Sequence, residues 1–135
     1  MSRPIRQIGI VTLANHAAAG FTATTNYDQK VPIEAIGLAL FVEATDDAGT
    51  SPTLDIKVQH KPPLSSTYVD LPGASFAQIT TTDVRKRLVV YPGVAETNNE
   101  SVSDVISAHD IRVVATLGGS DTPTYALKLS LAWLG

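Results

Sequence analysis

His16, His60 and His109 are the only imidazoles in the chain, and imidazole suits both metal ligation and proton transfer near neutral pH. They stand far apart, without the paired spacing that sets two rings on one metal ion. His60 closes the apolar face of an alternating stretch and His109 closes a weak helical pattern, so both read as packed or rim residues. His109 and Asp110 are neighbours, and on a strand neighbours point to opposite faces, which denies them a dyad. Asp46-Asp47 with Gly49 puts oxygen ligands on a tight turn, as a hard cation requires. The further acidic residues that complete a calcium loop are missing, so a solvated turn is the better reading. No serine sits in a Gly-x-Ser-x-Gly turn, and no base is identifiable beside one. Gly118-Gly119 lies between strand patterns instead of opening a helix, which removes the phosphate-cradle reading. The residues carry no catalytic constellation, and the expectation is a protein that is not an enzyme, with no cofactor and no metal.

The elements that must hold these side chains are strands. In Thr53 to His60, apolar Leu54, Ile56 and Val58 alternate with Asp55, Lys57 and Gln59, the pattern of a half-buried strand. The same period returns in Tyr125, Leu127, Leu129, Leu131 and Trp133. Gln7 to Leu13 reads as a first strand and Phe21 to Thr25 as a second, followed by a polar segment, Asn26 to Lys30. Ala35 to Ala44 is apolar on both parities and reads as a central strand covered on both faces. The cluster Asp46 to Pro52 then predicts a hairpin with Thr53 to His60, and Gly118 to Pro123 predicts a second hairpin between Asp110 to Gly118 and Tyr125 to Trp133. Tyr68 to Leu71 predicts a short strand before a turn at Pro72-Gly73, with Ser75 to Thr80 as another edge strand. Arg87 to Tyr91 is a further strand, closed by Pro92-Gly93. In the long stretch from Val94 to Asp110, the spacing of Val102, Val105, Ile106 and His109 after a Ser101 cap predicts one helical turn. About eight short strands with turn signals between them indicate an all-β protein, an antiparallel β-sandwich or jelly roll.

The chain of 135 residues fits one domain, residues 1–135, with a short N-terminal arm over residues 1–6. An apolar fraction of 44% against 17% charged residues excludes the composition of disorder. The net charge of −3 supplies no basic field for nucleic acid. Arg85-Lys86-Arg87 is the one basic cluster, and it reads as a solvated strand edge that discourages edge-to-edge pairing. No cysteine is present, which removes disulfides and thiolate metal sites. No apolar run approaches a bilayer span and no secretory segment is visible, so synthesis in the cytoplasm without secretion is expected, and the glycosylation triplet Asn99-Glu100-Ser101 reads as a chance match.

Three segments carry a resemblance: Gly49 to His60 (GTSPTLDIKVQH), Val69 to Thr80 (VDLPGASFAQIT) and Ile111 to Gly119 (IRVVATLGG). Together they resemble small structural proteins of tailed bacteriophage virions, most like the jelly-roll capsid cement, or decoration, proteins. The loop Lys61 to Ser66 departs from the glycine-rich, aspartate-bearing turn expected there. The resemblance implies a non-enzymatic subunit on the outer capsid surface of the virion, binding the major capsid protein and associating with itself as a dimer or trimer. It implies no catalytic residues and no contact with nucleic acid or membrane. Arg3 and Arg6 in the arm, and Asn98, Asn99 and Glu100 in the long loop, are the expected partner-binding residues. The alternatives are a head-to-tail connector or tail protein and a carbohydrate-binding or host-attachment module. The scattered Tyr27, Tyr68 and Tyr91 do not form the alternating aromatic strip of a sugar face.

Overall fold

The computed structural model describes residues 5–80, 83–106 and 110–135, and among these every element is a strand. Seven strands form one sheet: β1 (Gln7–Asn15), β2 (Thr25–Lys30), β3 (Gly37–Lys61), β4 (Val69–Ser75), β5 (Val84–Val90), β6 (Ser101–Val102) and β7 (Asp110–Leu134). The all-β expectation holds. The pairing is antiparallel except at β6, which lies parallel to β5 through Val89↔Ser101 and Val90↔Val102, so the purely antiparallel reading is corrected to a mixed sheet.

β3 and β7 are each 25 residues long and pair with each other from Gly37↔Leu134 to Lys61↔Asp110. This overturns both predicted hairpins. Ala35 to Ala44 does not fold back on Thr53 to His60, and Asp110 to Gly118 does not fold back on Tyr125 to Trp133. Each pair of segments runs on as one strand, and the two strands form a single long ribbon. The residues that suggested turns lie opposite one another midway along it. Asp46, Gly49 and Ser51 on β3 and Gly119, Asp121 and Thr122 on β7 all have positive φ, and the register shifts three times between Thr45 and Thr53. Positive φ serves a bulge as well as a reversal, and bulges bend a strand without ending it. The close approach depends on glycine, because a Cβ on Gly49 would stand 2.8 Å from the Pro123 Cα. The Thr50 hydroxyl donates to the Asp121 carboxylate across the same bend.

The bend divides the sheet into two wings. In the first, β1 flanks residues 128–134 of β7, and residues 126–134 pair with residues 37–45 of β3 and then β5 and β6. In the second, β2 flanks residues 110–115 of β7, and residues 110–118 pair with residues 53–61 of β3 and then β4. Leu38, Leu40, Leu129 and Leu131 from the first wing belong to one hydrophobic cluster with Leu54, Ile56, Ile111 and Val113 from the second. Alternation delivers this: the same parity of β3 points inward on both sides of the bend.

Other boundaries move for local reasons. The second strand is Thr25–Lys30, not Phe21 to Thr25, and takes in the polar segment Asn26 to Lys30. It is an edge strand, whose outer face is allowed to be polar, and Phe21 makes only an isolated bridge to Tyr125. Pro72-Gly73 is a bulge inside β4 rather than a turn after it. The fragment after β4 is reduced to an Ile79↔Leu54 bridge. The predicted helical turn is absent among the described residues, with His109 outside them. Val102 pairs with Val90, Ile106 donates its backbone N–H to the Ile36 carbonyl, and Val105 is exposed. One turn of helical spacing is too short to distinguish from irregular chain.

Candidate functional site

The outer faces of the two wings differ in kind. On the second wing the outward rows consist of charges that neutralise one another. Asp110 on β7 accepts from Lys30 on β2 at 3.0 Å and from Lys61 on β3 at 3.3 Å. In the next row, Arg112 makes a two-point pair with Asp28, Nε at 2.6 Å from one oxygen and Nη2 at 3.2 Å from the other. The guanidinium also lies 3.9 Å from the centre of the Tyr68 ring. Asp70 on β4 takes a hydrogen bond from Gln59 and an ion pair from Lys57. This is a hydrated face with its charges paired except at Asp55, which accepts from the Gln78 amide.

These pairs set an acid limit. The Arg112 hydrogen bond holds the Asp28 carboxyl below its ordinary 3.8, Lys30 does the same for Asp110, and Gln59 and then Lys57 for Asp70. A carboxyl depressed in the folded state contributes stability above its unfolded value and loses it as pH falls through the folded one. The melting temperature is therefore expected to stay level from pH 7 to about 5 and to drop below about pH 4. Arg112→Ala should lower it at neutral pH and make the acid limb shallower, as thermal melts across pH would record.

The outer face of the first wing is not matched in this way. One row reads Ile10 on β1, Ala132 on β7, Ala39 on β3 and Val89 on β5, apolar across four strands. Ala39 and Ala132 are covered, while Ile10 is 67% exposed and Phe41, one row on, is 42% exposed. The expectation that β3 is covered on both faces here holds at Ala39 and fails at Phe41. Beside this row stand Arg85, Arg87 and Lys128, while Lys86 has the parity of Leu88 and Val90 and pairs with buried Val42. Arg85 reaches Glu43 at 3.4 Å, but Lys86, Arg87 and Lys128 have no carboxylate within ion-pair distance among the described residues.

Three shallow depressions join on this face, and Arg87 lines all of them. One, of about 510 Å³, contains Phe41, Glu43, Lys86 and Lys128. A second, of about 500 Å³, is floored by Ala39 and Ala132 and includes Ile5 and Val94. The third, of about 610 Å³, brings Asn98, Asn99 and Glu100 against Arg85-Lys86-Arg87. β6 creates this last juxtaposition: Val89 donates its backbone N–H to the Glu100 carbonyl, which lays the long loop along β5.

Of the residues expected to contact a partner, Asn98, Asn99 and Glu100 are thus brought together with the basic cluster. Arg6 lies elsewhere, its backbone exchanging hydrogen bonds with Gly135 at 3.2 and 2.7 Å while its side chain is exposed. Arg3 lies outside the described residues. The sequence reading missed Ile10, Phe41 and Lys128. Phe41 carried a signal, an aromatic on the parity opposite Leu40 and Val42, but strand pairing was needed to set it beside Arg87. Among the described residues no three His, Asp or Glu side chains are grouped to hold a metal ion, and no helix is long and apolar enough to cross a membrane. His16 meets Phe21 edge-on at 5.8 Å, and His60 is half-buried on β3. The class these observations define is an all-β protein with one unmatched, apolar and basic sheet face. No protein-family model, curated protein or solved structure matches the chain.

Proposed function

We propose that this chain is a non-enzymatic structural protein of a phage virion, a capsid cement subunit that binds the outer shell through the first wing. The observation that carries the reading is the outer face centred on Arg87, where exposed apolar side chains adjoin unneutralised bases on a chain of net charge −3. A shell protein presenting carboxylates beside apolar residues complements it, and an interface core of that composition excludes water while its charged rim sets the register. The three resembling segments fall in the bend and the second wing, so the likeness belongs to the scaffold and leaves the binding face to vary.

The fold within this reading is a two-layer jelly roll. The first wing has the order β1, β7, β3, β5 and the second the order β2, β7, β3, β4, and both contribute to one core. Such eight-segment double sheets are a recurrent architecture of capsid proteins, and weak contacts repeated over many copies sum through avidity.

The test is cosedimentation of the purified protein with assembled shells of the phage that encodes it. Binding should weaken as salt rises, and Arg87→Gln with Lys128→Gln should reduce it at least about tenfold while the protein stays folded. Binding indifferent to both changes would remove the face from the proposal. Quantitation of virions separates cement, in hundreds of copies, from a connector or tail protein in about a dozen, and absence from virions would overturn the virion reading altogether.

A further inference from the structure

The edges of the sheet are not equally protected. Edge strands invite pairing with other chains, and charged residues are the usual deterrent. β2 carries Asp28 and Lys30, β4 carries Asp70, and β5 carries Arg85-Lys86-Arg87 with β6 laid along its end. β1 is different. Its nine residues, QIGIVTLAN, contain no charge and no proline. It pairs with β7 on one side, and no backbone hydrogen bond reaches its other side among the described residues. Ile10, at the edge of the apolar row, is its most exposed large side chain.

We propose that a second copy of the chain pairs along this edge, β1 against β1, antiparallel about a two-fold axis near Val11. The inference rests on the self-association expected of a cement subunit and gives it a surface. The sequence of the strand selects the occupant. β1 has irregular register at Ile8 and Leu13 but is regular from Gly9 to Thr12, and pairing about Val11 sets Ile10 of one copy opposite Thr12 of the other, so no like charges meet within the strand. The same operation on β5 sets cations against cations at Arg85-Lys86-Arg87. Two first wings joined in this way form one continuous sheet, in which the Ile10 of each copy lies opposite Thr12 and diagonal to the Ile10 of the other. Closed two-fold dimers need a self-complementary patch, and an uncharged antiparallel strand is one.

Sedimentation equilibrium and light scattering across a range of concentrations test the proposal. The unmodified protein should have twice the chain mass. Thr12→Lys should weaken the dimer, and Ile10→Lys with Thr12→Lys should yield a folded monomer with an unchanged far-ultraviolet circular dichroism spectrum, because both side chains are exposed. Ile33→Lys, more exposed than Ile10 and off the edge, should leave the dimer intact. A monomer at all concentrations, a trimer, or a dimer that survives the double substitution overturns the edge pairing. Shell binding by the unmodified protein separates the two readings: an unmodified chain that is monomeric yet decorates shells overturns the pairing alone, and an unmodified dimer indifferent to shells overturns the cement role alone.

Discussion

Leu131→Ala is expected to lower folding stability by about 2–5 kcal/mol, the range for truncating a buried leucine. Leu131 is fully buried on β7, between Val11 on β1 and Leu40 on β3. Its neighbours on both sides are fixed by ladder hydrogen bonds, so the site cannot collapse around the missing atoms, and the void adds to the lost transfer energy. For a domain of this length the change corresponds to a fall in melting temperature of roughly 10 °C, readable by calorimetry. Phe41→Ala is the comparison. It removes a larger side chain from the neighbouring strand, but Phe41 is 42% exposed on the outer face, so a much smaller loss is expected. A loss at Phe41 equal to that at Leu131 would mean that the outer face is covered and unavailable to a partner.

The contrast between these two residues also marks what was legible in the sequence. Strict alternation made Leu54, Ile56, Val58 and the Tyr125 to Trp133 stripe readable as inward residues, because period two is a local property of a strand. All of Tyr125, Leu127, Leu129, Leu131 and Trp133 are buried. What alternation does not carry is the identity of the partner strand. Asp46 to Pro52 and Gly118 to Pro123 contain the residues that reverse a chain, and a local rule reads them as hairpin turns. The alternative, two clusters bending opposite strands at one level, exists only once residues about 70 positions apart are paired, as Thr50 and Ser120 are. β2 was missed for a related reason. Asn26, Asp28 and Lys30 resemble a loop until Arg112 and Asp110 supply their partners. The candidate site was half legible: Asn98 to Glu100 and the Arg85 to Arg87 run were both noticed, but the parallel pairing of two residues in β6 is what joins them.

The continuity of the ribbon yields the second large effect, and the absence of cysteine makes its measurement clean. Glu43→Cys with Lys128→Cys, and separately Asp55→Cys with Thr116→Cys, are each expected to form a disulfide on mild oxidation. Glu43 faces Lys128 in the first wing and Asp55 faces Thr116 in the second, both pairs on the outer face where oxidant has access. Directly opposed residues on antiparallel strands have Cα atoms about 4.5–5.5 Å apart, within disulfide reach. Each bridge closes a loop of roughly 60–85 residues, for which loss of unfolded-state entropy stabilises by about 4 kcal/mol. The two hairpins read from sequence make the opposite forecast, since there Glu43 would lie near Thr53, and Thr116 near the start of the Tyr125 strand. Neither cysteine pair would then meet. Non-reducing electrophoresis of the oxidised variants, with melting temperatures before and after reduction, decides between the arrangements. Formation of both bridges with a raised melting temperature requires one bent ribbon running through both wings. Failure of either would break the ribbon at the bend, and with it the arrangement that sets Phe41, Arg87 and Lys128 on one face.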